Sequence, residues 1–451
     1  MSTPNTDIRP LGFTVTEDAQ PMLSGVNLLA LAQTVGTPLY VLDEATIRAM
    51  ASVYLDTLST HYPAASLPLY ACKANMSLGL VKLMEQLGMG LDVVSGGELY
   101  TAVQAQFPME KIFFNGNNKS REEVALALTH RIGRITVDNF YELALIHEVA
   151  SEMGVVADVL LRVTPGIDCH THDYIRTGHI DSKFGFDLSY LSQAIDTIQT
   201  EYAGTIRLRG LHAHVGSQIF ETRPYEDLAE VLLNIYFNVR AHYELTLTDL
   251  NIGGGLGIAY TEHDDPPDVA DVLRRVTQKI ARYAEELGYP LPRLMVEPGR
   301  SMVATAGLTL YTLGSVKEVP GVRTYVAVDG GMGDNIRPAL YQAKYTAVVA
   351  NKLNQPNSQV ITVAGKYCES GDVLIPQLAV PEVAPGDTLM VFGTGAYNYA
   401  MASNYNRVPR PPVVLVENGR VHTLVNRETY ETVMQQDLIP SYLLGESASA
   451  R

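Results

Sequence analysis

A (β/α)8 barrel joined to a smaller all-β domain is the fold this sequence predicts, and three observations predict it. Between about residues 38 and 300, short apolar or β-branched runs alternate with longer amphipathic stretches, as βα units of a parallel sheet do. After Arg300 the pattern changes to short strand-like runs divided by Gly, Pro, Asn and Asp. The length of 451 residues leaves room for both units.

The barrel strands are expected, in order, at "PLYACK", "GLDVVSGG", "KIFFNGNN", "GRITVDN", "DVLLRVTPG", "RGLHAHVGS", "DLNIGGGLG" and "RLMVEPGR". Helical patterns lie between them, among them "SLGLVKLMEQLG", "SREEVALALTH" and "DVADVLRRVTQKIARYAEELG", several opened by Ser, Asn or Asp as N-caps. The segment after "LLRVTPG" is long and is expected to carry an inserted excursion. The β unit is read from "LTLYTLGSV", "TYVAVDGG", "SQVITVAG", "DTLMVFG", "PVVLVENG" and "RVHTLVN". Because "IRPLGFTVTEDAQPML" does not fit the barrel repeat, residues 1–38 are assigned to the β domain, 39–300 to the barrel and 301–451 to the C-terminal β domain.

Composition narrows the function classes. The net charge of −16 argues against a nucleic-acid partner, which a basic patch would attract. The polar N-terminus lacks the apolar core of a secretory signal, and no apolar run approaches a membrane span, so a soluble cytoplasmic protein is expected. Three cysteines, Cys72, Cys169 and Cys368, form no CxxC pair, which points to buried or reactive thiols rather than disulfides or structural zinc.

Chemistry in such a barrel collects at the C-terminal strand ends. These ends carry Lys73, Ser95 to Gly97, Asn115, Asp138, Arg162, His212 and His214, Gly253 to Gly255, then Glu297 and Arg300. Each has a bland reading: a solvated lysine, packed core histidines, a tight glycine turn, a loop-capping glutamate. A metal site on the His212–His214 pair would need further ligands at other strand ends, where no other histidine stands. Taken together, the set supplies the parts of a pyridoxal phosphate (PLP) site. A lysine amine forms a Schiff base, with burial expected to lower its pKa. The glycine backbone can approach a phosphate, aided by a following helix N-terminus. Glu297 would pair with the pyridine nitrogen, His214 would offer a flat face to the ring, and Ser217 a hydroxyl to the phosphate.

The ordered motifs "YACKAN", "DVVSGGEL", "FNGNNKS", "HAHVGSQ", "NIGGGLG", "EPGRS", "RPALY", "CESGDVL" and "GAYNYAMASNYNRVPRP" resemble those of the diaminopimelate decarboxylases, among the alanine-racemase-like PLP enzymes. The resemblance implies Lys73 as the Schiff-base lysine, His214 stacked on the ring and Glu297 on the pyridine nitrogen. It further implies Ser217, Gly254, Gly255 and Tyr397 at the phosphate, Arg300, Arg337 and Tyr341 at the substrate's far carboxylate, and Glu369 at its far ammonium. Cys368 or Lys73 would return the proton after CO2 leaves the D-centre of meso-diaminopimelate, giving L-lysine. A homodimer is implied, with Cys368 and Glu369 reaching the partner's PLP. "CESGD" favours diaminopimelate, since relatives acting on ornithine or arginine carry aspartate after the cysteine. A decarboxylase of that kind, a racemase, or a non-catalytic PLP-binding protein are the alternative readings. "AGKYCESGD" departs from the family's usual "GPLCESGD", so the resemblance leaves the loop before Cys368 open.

Overall fold

The computed structural model describes residues 3–166 and 182–444. The eight expected barrel strands are β1 (Ser66–Ala71), β2 (Gly90–Val93), β3 (Ile112–Phe114), β4 (Arg134–Val137), β5 (Ala157–Thr164), β6 (Ile206–His212), β7 (Asp249–Asn251) and β8 (Arg293–Val296). Each pairs in parallel with the next, and β8 pairs with β1 to close the ring. A short strand, Phe186–Asp187, adds to the end of β5 in parallel. Residues 167–181, where the excursion was expected and where Cys169 falls, lie outside the described residues.

Side-chain caps fix where several helices start above the strand ends. Ser77 accepts from the Leu80 N–H, Ser95 from Glu98, Ser120 from Glu123 in a reciprocal capping box, and Asn139 from Glu142. Inside the ring, Leu69, Phe113, Leu160 and Met295 pack as one fully buried layer. That layer fills the barrel below the strand ends, so the polar groups above it face a cleft with an apolar floor.

The second domain is a mixed sheet in which Gly307–Val319 pairs antiparallel with both Arg323–Val328 and Thr388–Phe392. The strand Leu39–Asp43, which the sequence boundary assigns to the barrel, belongs here. It lies between Gly307–Val319, to which it is antiparallel, and Val413–Glu417, to which it is parallel. All five of its residues are buried, a run that reads the same in a barrel strand, and its partners stand far off in sequence. Ahead of it, Phe13–Val15, Pro21–Leu23 and Val26–Asn27 form a small antiparallel sheet. Leu23, Leu28, Leu39, Val41, Leu308, Phe392, Val414 and Val416 share one apolar core.

Asp43 ties the two domains. Fully buried, it caps the helix Glu44–His61 by accepting from the Thr46 N–H at 3.1 Å. It also accepts from Ser24 Oγ at 2.5 Å and from the Gly12 N–H at 3.2 Å. Among the described residues, no helix is long and apolar enough to cross a membrane.

Candidate active site

The barrel mouth gathers a ring of buried polar side chains. The β5–β6–β7 register sets Arg162, His212 and Asn251 side by side, and β1–β2 pairing sets Asp92 beside Ala71. At the centre is Glu297, just past β8. Its Oε1 accepts from Asn251 Nδ2 at 2.8 Å and Asn115 Nδ2 at 3.0 Å, and its Oε2 lies 3.1 Å from His212 Nε2. Burial pushes the Glu297 carboxyl up, but His212, His214 and Lys73 outweigh it and hold the group well below the ordinary carboxylate range. Asn115 also donates to Asp92 at 2.6 Å. Burial and the nearby Glu297 push that second carboxyl well above its usual value.

Lys73 follows β1 in a short turn, Cys72–Ala74, and borders a cleft of about 410 Å3, part of it open to solvent. Asp92, His214, Ser217, Gly255, Glu297, Arg300 and Tyr397 line the same cleft. The expectation that burial would leave a neutral amine is corrected here. Burial is the largest single influence and acts downward, yet Tyr397, Asp92 and Glu297 together hold the Lys73 ammonium above its ordinary pKa.

His214 accepts from the Gly254 N–H at its Nδ1, 3.1 Å away. A ring nitrogen that accepts carries no proton, so the ring is neutral with its hydrogen on Nε2. Burial, Lys73 and Arg162 push its pKa well down, in agreement. The glycine run differs from expectation in two respects. The Gly253 N–H donates to Asn251 Oδ1 at 2.9 Å and that of Gly254 goes to His214, so two of the three amides are committed within the protein. The helix expected to follow them begins only at Val269, behind a loop and an Asp268 cap. Glycine is required nonetheless: a Cβ on Gly254 would run into the Glu297 carbonyl oxygen, and one on Gly255, at φ 109°, into that of Gly216.

Cationic groups stand at the other side of the cleft. Arg300 donates to Ser217 Oγ at 2.9 Å and to the Tyr260 hydroxyl at 2.6 Å. Arg337 donates to the same hydroxyl at 3.1 Å and to Tyr345 at 2.6 Å. Burial pushes the Tyr260 phenol up, but the two guanidiniums prevail and hold it below its ordinary value. Tyr341 is half-buried at the end of the short helix Arg337–Tyr341. Tyr397 reaches the cleft from the second domain in a left-handed backbone conformation, φ 61°, fixed by its N–H donating to Ala74 O at 2.7 Å.

Cys368 and Glu369 do not join this group in the same chain; both are exposed and neither lines the cleft. Their loop is nonetheless defined. Asp372 accepts from the Tyr367 N–H at 2.9 Å and the Met332 N–H at 2.7 Å, and the Tyr367 ring stacks on Tyr405. The departure in "AGKY" fits, since Lys366 points outward and Gly333 leaves room for the Tyr367 ring.

Asp92, Asn251, Tyr260 and Tyr345 were not singled out from the sequence. Asp92 sits inside the buried run Gly90–Val93, where a polar residue among apolar neighbours was the available signal; Asn251 ends the short strand Asp249–Asn251, and Tyr260 and Tyr345 stand in loops that gave none. The donors fit PLP: an ionised carboxylate, an amine and a neutral imidazole share one cleft with a hydroxyl and a guanidinium. Arg300 Nε, buried and without a partner among the described residues, is a spare donor at the anion end.

Residues 46–304 match the family model described as pyridoxal-dependent decarboxylase, pyridoxal binding domain. The chain is 52% identical to the diaminopimelate decarboxylase of Bacillus subtilis, over 92% of this chain and 94% of that one. It is 45% identical to that of Synechocystis, over 98% and 95%. Among solved structures, diaminopimelate decarboxylase from M. jannaschii in complex with L-lysine superposes with a TM-score of 0.88, at 33% identity, covering 98% of this chain and 100% of that one.

Proposed function

Because this chain belongs to the diaminopimelate decarboxylases, a family of pyridoxal-dependent enzymes, we propose that its barrel cleft decarboxylates meso-diaminopimelate at the D-centre and yields L-lysine. The observation that carries the reading is the convergence of Lys73, His214 and an ionised Glu297 on one cleft, opposite Arg300. Pyridoxal phosphate, when bound, supplies a ring that takes up the electron pair left behind by departing CO2.

The residues divide the remaining work. Lys73 is the amine that would attach the cofactor, and it must first shed the proton that Tyr397, Asp92 and Glu297 stabilise. Glu297 holds the proton on the pyridine nitrogen, a task suited to a carboxylate that stays ionised across the working pH range. The neutral His214 ring, fixed by Gly254, would offer its face to the bound ring. Ser217, Gly255 and Tyr397 hold the phosphate, and Gly254 serves by seating His214.

The substrate carries an ammonium and a carboxylate at each end, so its far end calls for cations and an anion. Arg300, Arg337 and Tyr341 take the far carboxylate, and Glu369 takes the far ammonium. Cys368 or Lys73 returns the proton to the carbon. Since Cys368 and Glu369 are exposed and outside the cleft of their own chain, we assign them to the cleft of a second copy in a homodimer.

The test is incubation of the protein and PLP with meso-diaminopimelate, following CO2 and the configuration of the lysine formed. Equal turnover of ornithine, or D-lysine as product, would overturn the assignment. Lys73→Ala is expected to abolish both the absorbance of attached cofactor and nearly all turnover; retention of either removes Lys73 from its role.

A further inference from the structure

We propose that Asn406 is a positioning residue for the Cys368–Glu369 loop, a role that rests on the reading of this loop as part of a second copy's active site. The loop is anchored at its base. The Lys366 N–H donates to Gly330 O at 2.9 Å, and Gly365 and Asp372 close on each other at 3.0 Å. At the tip, the Glu369 N–H donates to Tyr367 O at 2.8 Å and the Asp372 N–H to Glu369 O at 3.1 Å, bonds made within the loop itself. The Asn406 side chain adds a contact from outside the loop, its Oδ1 accepting from the Cys368 N–H at 2.8 Å.

The turn that presents Asn406 is unusual. Asn406 and Arg407 both adopt left-handed backbone, with φ of 50° and 59°. Asparagine tolerates this region, but an arginine seldom enters it, and such conformations persist only where surrounding contacts impose them. The contacts are present. Tyr405 stacks on Tyr367 with centroids 6.0 Å apart and planes 17° from parallel. Asn404 donates to Glu428 Oε2 at 2.6 Å and to Val408 O at 3.1 Å, and Arg410 Nε donates to Glu428 Oε1 at 2.7 Å. A strained turn is therefore pinned from behind by Glu428 and directed at the backbone of the proposed proton donor. The Glu369 carboxylate accepts a long contact from the Gly371 N–H at 3.4 Å. It is exposed, while the backbone one residue earlier is held by Asn406.

The experiment compares PLP-loaded N406A, N406D, C368A, E369A and the double variant N406A/C368A. Attached cofactor should be unchanged in N406A and N406D, because Asn406 does not line the cleft. In N406A, amide hydrogen exchange at Cys368 should accelerate about 10-fold and kcat/KM for diaminopimelate should fall about 10-fold, the scale of one hydrogen bond. N406D keeps an acceptor in a residue that tolerates the same backbone, and should restore both. The double variant should be no worse than C368A alone, since the two act through one element. Unchanged exchange at Cys368 overturns the proposal, as does a loss in N406A that adds in full to that of C368A. Wild-type turnover in both C368A and E369A would instead overturn the reading of the loop, and exchange alone would then decide whether Asn406 holds it.

Discussion

The Tyr260 hydroxyl is the point at which two buried guanidiniums meet, with Arg300 at 2.6 Å and Arg337 at 3.1 Å. Its oxygen lies between like charges that otherwise face each other in a poorly solvated space. Removing it in Tyr260→Phe should raise KM for diaminopimelate about 10-fold or more, given about 1.5–3 kcal/mol for a hydrogen bond to a charged group. The change in kcat should be smaller, because Tyr345 still holds Arg337; an unaltered KM would remove the two arginines from substrate binding. Lys73, His214 and Glu297 were legible because each ends a strand run, where a barrel exposes its chemistry. Tyr260 was not, because its meaning depends on two arginines that stand 40 and 77 residues away in sequence. The protonation of Lys73 was also hidden: burial can be guessed from an apolar run, but the opposing field of Asp92, Glu297 and Tyr397 cannot.

Elements in this chain are secured by single buried carboxylates, and Asp43 and Asp334 show two ways of doing so. Asp43 accepts from Thr46, Ser24 and Gly12 at the joint between a sheet strand and a barrel helix. Asp43→Ala removes the cap and strands the other donors, so a loss of about 2–4 kcal/mol is expected as a lower thermal midpoint. Asp334 sits in the loop after Arg323–Val328, taking the Gly331 N–H at 2.8 Å and the Tyr311 hydroxyl. Burial, with Asp372 and Asp329 nearby, pushes its carboxyl up to about 7. Since the folded value lies above the unfolded one, the protonated form favours the fold. This contribution is complete below about pH 4 and lost as pH rises through about 7, at most about 4 kcal/mol from ~1.4 kcal/mol per unit. Denaturant midpoints at pH 5 and pH 8 should differ less in Asp334→Asn than in the parent; an equal difference would rule this out. The barrel strands were readable because the βα repeat recurs eight times and each copy supports the next. Leu39–Asp43 belongs to no repeat, and its hydrogen-bonding partners cannot be read from its own residues.

At the scale of the molecule, the proposal that Cys368 and Glu369 serve a neighbouring cleft makes the active unit larger than one chain. Mixing Lys73→Ala with Cys368→Ala subunits should raise activity above that of either variant alone. Random pairing gives half the dimers one intact site of two, or ~25% of the parental rate. No recovery on mixing would return both residues to their own chain or remove them from the reaction. Composition and periodicity alone could not reveal this sharing, because an exposed loop cysteine carries the same local signal whether it faces water or a partner.

The placement of Leu39–Asp43 between Gly307–Val319 and Val413–Glu417 also governs the order of events during synthesis. This apolar strand leaves the ribosome early, yet its first neighbour begins about 264 residues later, at Gly307. At ~5–20 residues per second that is a wait of roughly 13–53 s. The barrel can close within that interval while the strand remains unpaired. A nascent chain of this protein therefore passes through a stage in which the barrel strands are complete while Leu39–Asp43 still lacks both of its hydrogen-bonding neighbours.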